Sequence, residues 1–229
     1  MRLVILFLLI LPAVHAQNDA AIAIQKICTA YNHGETISFS GSLSMYAKSN
    51  PDKIIEKMQS SYIIRGSNFS CSIGPVQMLL NDEYYVSVDK TIKLIMIGNK
   101  KDLSGTEQMP VLNISQFKKW IEEKEIKATI IRRGNNSVLT LTDVQGITGY
   151  NIYNITYDNA TGYMKKVLLE LSDANDPEHK TIVLEINYSK PVLAGRTKDA
   201  FSEKQFFTIT QNKIQVASDY KNYQVINQL

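Results

Sequence analysis

Histidine occurs three times in this chain of 229 residues, cysteine twice and tryptophan once. His33 and His179 lie far apart beside turn residues, with no Cys, Asp or Glu at ligand spacing, so no zinc or histidine-based centre is legible. A G-x-S-x-G elbow and a Gly-rich phosphate loop are absent, and neither cysteine has a base partner in the sequence. The run from Ser172 to His179 starts like a calcium loop but puts Pro177 and Glu178 where that loop needs a ligand and a glycine. A solvated hairpin tip is the better reading. No pair of carboxylates stands out for glycoside chemistry. Neither a catalytic residue, a cofactor nor a metal is therefore expected.

Charge of one sign is also lacking. The formal net charge is +3, and the lysines are scattered rather than striped, which argues against a nucleic-acid binder. After residue 11 no apolar run approaches the roughly 20 residues that cross a bilayer. The early run, from Leu3 to Leu11, follows Arg2 and precedes Pro12-Ala13-Val14-His15-Ala16. A charged start, a short apolar stretch and a small-x-small end predict a secretory signal peptide over residues 1–16, cut before Gln17. Residues 17–229 are expected to form a single domain, exported, soluble after cleavage, without a transmembrane segment and monomeric. An oxidising compartment permits a bridge between Cys28 and Cys71. Two separately buried thiols fit the sequence equally well.

Tyrosine, threonine, serine and β-branched residues are plentiful, which favours strands. Ala21, Ile24, Ile27, Cys28 and Tyr31 recur every three or four positions and predict a helix over Asp19 to Tyr31. The period then changes to two. Ile37, Phe39, Gly41, Leu43, Met45 and Ala47 alternate with Ser38, Ser40, Ser42 and Ser44, which predicts a strand with one apolar face. Pro51-Asp52 marks a reversal, with a short helical turn over Lys53 to Lys57. Strands are then expected at Met58 to Ile64, from Phe69 through Ile73, at Val76 to Leu80, Tyr84 to Val88 and Ile92 to Ile97. A second helix is expected from Ile114 to Lys124. Later strands follow at Ile126 to Arg132, Val138 to Thr142, Tyr150 to Tyr157, Tyr163 to Leu171 and Thr181 to Tyr188. The tail supplies Phe206 to Thr210, Ile214 to Val216 and Tyr223 to Ile226.

The fold class is thus mainly β with α+β character. A strongly curved antiparallel sheet or unclosed barrel is expected, plugged by the N-terminal helix. One face of the early strands carries a surplus of large apolar residues: Phe39, Leu43, Met45, Met58, Tyr62, Ile64, Phe69, Met78, Leu80 and Tyr85. An ordinary core would use them. A cavity for chains of varied shape would use them too, since methionine is flexible and tyrosine has one polar tip. The triplets N-x-S/T at Asn68, Asn113, Asn135, Asn154, Asn159 and Asn187 read as products of composition rather than glycan sites.

The order of leader, short helix, long strand and meander, with Leu79-Leu80-Asn81-Asp82-Glu83-Tyr84-Tyr85-Val86-Ser87-Val88-Asp89-Lys90-Thr91-Ile92-Lys93-Leu94-Ile95, resembles the LolA-like periplasmic lipoprotein-carrier family and its lipoprotein-receptor and lipid-binding relatives. The later strands, Ile152 to Leu171 and Thr181 to Tyr188, fit the same order. What the resemblance implies is a half-barrel with a helical lid over an apolar concavity that holds a lipid or the acyl chain of a protein. It implies a periplasmic, non-enzymatic carrier for an amphiphile. The competing expectation is a structural or interaction module of the bacterial envelope that docks a partner protein.

Overall fold

A computed structural model describes residues 19–32, 34–102, 121, 123, 126–142, 144, 149–172, 181–195, 199–211 and 213–229. The leader, His33, His179, Asn113, the Asp173 to His179 loop and nearly all of the expected second helix lie outside the described residues. From that helix only Ile121, helical and buried, and Glu123 are described.

The strands are β1 (Ile37–Ala47), β2 (Asn50–Arg65), β3 (Asn68–Ile73), β4 (Val76–Leu80), β5 (Tyr84–Asp89), β6 (Leu94–Asn99), β7 (Lys127–Arg133), β8 (Asn136–Thr142), β9 (Ile152–Asp158), β10 (Met164–Ser172), β11 (Thr181–Tyr188), β12 (Val192–Leu193), β13 (Phe207–Thr210), β14 (Lys213–Val216) and β15 (Gln224–Gln228). Hydrogen bonding orders the large sheet β15-β6-β5-β4-β3-β2-β1-β11-β10-β9-β8-β7, with β12 beside β1, and its two end strands do not meet. The fold is therefore mostly β, around an open, mixed sheet. A wholly antiparallel sheet was expected, and β15 corrects it by pairing with β6 in parallel. The parallel pairing needs a long crossover, and the segment from 189 onward supplies the length.

Two compact units divide the chain. The first comprises residues up to Ala30, Ser42–Lys57 and Gln108–Tyr188; the second comprises Tyr31–Gly41, Met58–Glu107 and Ser189–Leu229. Strands β1 and β2 run through the division.

In the first unit, β7 to β11 form an antiparallel meander whose register stacks Ala128, Leu141, Tyr153, Leu169 and Leu184 in one row. The next row on that face holds Ile130, Leu139, Ile155, Val167 and Ile186. Leu139, Leu141, Tyr153, Ile155, Val167 and Leu169 are fully or nearly fully buried. Helix α1, residues 19–31, belongs to this unit over all but its last residue. Ala20, Ala23, Ile24, Ile27 and Ala30 fall on its buried face at helical spacing. Lys26 holds α1 to the β9–β10 turn by donating to the Asn159 carbonyl. Gly162, at φ +79°, passes so close that a Cβ there would lie 2.9 Å from the Lys26 carbonyl oxygen. Only glycine meets both the backbone angle and the approach.

The other face of this meander is mixed, with Ile131, Val138 and Leu168 among polar residues such as Asn136, Thr140, Asn154 and Thr156. Lys48 pairs with Glu170 at 2.7 Å and Lys166 with Glu185 at 2.7 Å, while Thr140 donates to Asn154 at 2.6 Å. Burial pushes the Glu185 carboxyl up, but hydrogen bonds from Lys166, Asn187 and Tyr46 outweigh it and hold the group below its ordinary value. Tyr46 moves the opposite way, to about 12, through burial first and then through its contact with Glu185.

In the second unit the core lies on one face of β4 to β6, where Leu79, Val86, Val88, Ile95 and Ile97 meet Phe201, Phe206, Phe207 and Tyr220. These four rings come from the C-terminal segment. Residues Glu203–Gln205 make one 3-10 turn, capped by the Ser202 side chain, which accepts from the Lys204 N–H. Phe207 meets the Tyr84 ring edge-on at 5.3 Å, and Tyr220 stacks on Phe206 at 5.8 Å.

The expected reversal at Pro51-Asp52 and the helical turn over Lys53 to Lys57 are corrected by β2, which already includes all of these residues. The chain reverses at residues 48–49 instead. Residues 50–57 are exposed throughout, so the N–H that Pro51 lacks leaves no buried partner unsatisfied.

Candidate functional site: the second apolar face of β2 to β5

The register of the second unit shows which expected residues share a face. One row across β2, β3, β4 and β5 reads Ile64, Phe69, Leu80, Tyr85. The next row on the same side reads Tyr62, Cys71, Met78, Ser87 and, on β6, Met96. Leu79, Val86 and Ile97 make the row between them, which points to the opposite side and belongs to the core under the C-terminal segment. Side-chain alternation thus gives β4 and β5 two apolar faces, whereas the opposite side of β2 and β3 carries Ser61, Ser70 and Ser72.

Phe39 joins the first of these faces by stacking on Tyr62, with ring centroids 4.8 Å apart and planes 17° from parallel. Tyr31, the last residue of α1, meets Phe39 edge-on at 5.6 Å. Phe39, Tyr62, Ile64, Phe69 and Leu80 are buried, while Met58, Met78 and Tyr85 are half-buried. Met58 lies against Gly74, where a Cβ would come within 2.7 Å of its sulfur. The bare backbone of Gly74, at φ +51°, makes room for that long side chain. Leu43, buried, and Met45, half-buried, belong by contrast to the first unit.

The cysteines are thiols in this structure, with Cys28 half-buried on α1 and Cys71 buried in β3. Burial pushes the Cys71 thiol up to about 12, against a smaller lowering from the Met78 backbone hydrogen bond. Such a thiol is a small apolar residue in chemical behaviour. Among the described residues, no group of three or more His, Cys, Asp or Glu is placed to hold a metal ion, and no helix is long and apolar enough to cross a membrane.

Two features escaped the sequence reading. The aromatic seal of Phe201, Phe206, Phe207 and Tyr220 was legible only as short tail strands, since nothing local says which face a terminal segment covers. A hollow of about 470 Å³ also lies between α1 and β7 to β9, with Ala23, Lys26, Arg132 and Tyr157 in its lining. Helical spacing on α1 predicted a buried face but not its partner strands.

Neither a profile of any known family nor any curated protein sequence matches this chain. Solved structures do resemble it. An uncharacterized conserved protein from Thermus thermophilus is similar with a TM-score of 0.49 and 8% identity, over 89% of this chain and 98% of that one. A LolA superfamily protein from Nitrosomonas europaea is similar with a TM-score of 0.41 and 11% identity, over 80% of this chain and 97% of that one. The MucA/MucB complex of Pseudomonas aeruginosa is matched with a TM-score of 0.44 and 11% identity, over 87% of this chain and 63% of that chain.

Proposed function

We propose that the chain is an exported, non-enzymatic binding protein of the bacterial envelope that carries an amphiphile, a lipid or a protein's acyl chain, against the second apolar face of β2 to β5. One observation supports this above all. The C-terminal segment already provides the second unit with an aromatic core on the opposite face, so the residues of the other face are not needed to close that core. Their chemistry suits an acyl chain, with Phe39, Ile64, Phe69 and Leu80 as a fixed floor and Met58, Met78 and Tyr85 as adaptable margins. Each methylene buried there contributes about 0.8 kcal/mol, so an acyl chain binds without any strong polar contact. The resemblance of the Leu79 to Ile95 stretch to lipoprotein carriers points the same way.

Protein purified without detergent should release an amphiphile on solvent extraction, identified by mass spectrometry, and the stripped protein should bind cis-parinaric acid saturably. If extraction yields no amphiphile and the fluorescence never saturates, the carrier reading fails.

A further inference from the structure

On the second unit, away from the apolar face, the β2–β3 turn, the β4–β5 turn and the segment before β13 border an open polar cavity of about 220 Å³. Arg65, Asn68, Asn81, Asp82, Glu83 and Glu203 line it. Taking roughly 30 Å³ per water molecule, it has room for a small polar group and some solvent. Its frame is Asn81, which is nine-tenths buried. The Asn81 Oδ1 accepts from the backbone N–H of Glu83 at 2.9 Å and of Tyr84 at 2.7 Å, and its Nδ2 donates to the Phe201 carbonyl at 3.2 Å and to Glu203 Oε2 at 3.0 Å. Asn81 therefore has no capacity left for a ligand, but it fixes the Glu203 carboxylate at the cavity.

Asn68 is different. It closes the β2–β3 hairpin opposite Arg65 and is 7% exposed, and its Oδ1 has no hydrogen-bond partner among the described residues. A buried acceptor of this kind raises the free energy of the fold unless a donor meets it. The arginine does not fill that role. Its guanidinium carbon sits 4.9 Å from the centroid of the Phe201 ring, a cation–π geometry, and it makes no ion pair among the described residues. Three carboxylates, one guanidinium and an unmet acceptor leave the cavity negative and short of N–H donors. An anion would be repelled, and the carboxylates do not converge as a metal site requires.

We propose that this cavity binds a primary ammonium or guanidinium group, with Asn68 Oδ1 and the Glu203 carboxylate accepting its N–H bonds. A charged donor of this type forms the strong class of hydrogen bond with a carboxylate and satisfies the buried amide oxygen at the same time. The group belongs either to a free amine or to a basic side chain of a peptide.

The test is an NMR titration of the intact, isotopically labelled chain with putrescine, with a blocked lysine tripeptide and with uncharged n-butanol. Saturable shifts of the Asn68 and Asn81 side-chain amides are expected with a cationic probe and not with n-butanol. Glu203→Gln, which still offers Asn81 an acceptor, should weaken binding by about tenfold, and Asn68→Asp should tighten it. Tighter binding of putrescine assigns a free amine; tighter binding of the tripeptide assigns a peptide side chain. Absence of shifts with both cations, an equal response to n-butanol, or unchanged affinity in both variants would overturn the proposal.

Discussion

The meander of the first unit and that of the second are built from the same antiparallel ladders but differ in what their second faces carry. Around Lys166, Thr140 and Asn154 the first unit has ion pairs and threonines behind its core. Around Met78, Leu80 and Tyr85 the second unit has another apolar surface behind its own. The buried side of α1 belongs to the first unit, whose other sheet face mixes Ile131, Val138 and Leu168 with polar groups. In the second unit the two apolar sides of β4 and β5 need two covers. The C-terminal rings are one of them, and the proposed binding role rests on the remaining face, whose Tyr62, Ile64, Phe69 and Leu80 are buried within the chain itself.

Substitutions can break this contrast. The largest effect is expected at the sealed face, where Phe207→Ala removes a fully buried ring and should lower stability by about 3–5 kcal/mol in chemical denaturation. Next come Met78→Glu and Tyr85→Glu, at half-buried positions of the other face. Each should weaken cis-parinaric acid binding at least about tenfold while costing about 1 kcal/mol of stability. A smaller effect is expected from the mixed face of the first unit. A double-mutant cycle on Lys166 and Glu185, whose side chains are 38% and 20% exposed, should give a coupling of about 0–1 kcal/mol, because solvent screens the pair.

The smallest effect sharpens the picture of the β9–β10 turn. The Thr161 backbone N–H first, then the Lys165 side chain, hold the Asp158 carboxyl down at about 2. A depressed carboxyl favours the folded turn above its unfolded pKa and loses that contribution as pH falls from 3.8 towards about 2. Protection factors of the Ala160 and Thr161 amides, which correct for the intrinsic pH dependence of exchange, should fall as pH drops through that window in the native chain, and Asp158→Asn should remove that fall.

Much of this architecture was readable from alternation alone. Ile37 to Ala47, Val76 to Leu80 and Thr181 to Tyr188 are strands over the very residues whose period-two pattern predicted them, and the spacing of Ala21, Ile24, Ile27, Cys28 and Tyr31 predicted α1. Ile92 and Lys93 were read as strand but lie in the turn, where the Asp89 carboxylate accepts from the Thr91 and Ile92 N–H groups and Lys93 takes φ 53°. That local capture by Asp89 outweighed the β-propensity of Ile92. The shared face of Ile64, Phe69, Leu80 and Tyr85 followed from alternation once hairpin register was known. Opposing Leu79 and Val86 were read only as strand residues, since two apolar faces in one short strand look like a continuous apolar run. Asn68 stood out only as an N-x-S triplet; its burial is a tertiary fact that no spacing announces.

The carrier reading meets its most direct test in the methionine methyl groups, observed by NMR while a spin-labelled fatty acid is added. Bound at the second apolar face, the label should broaden Met58, Met78 and Met96 and spare Met164, which is buried in the first unit. Broadening of Met164 with the other three unchanged, or no broadening at any of them, would contradict the assignment of that face to an acyl chain.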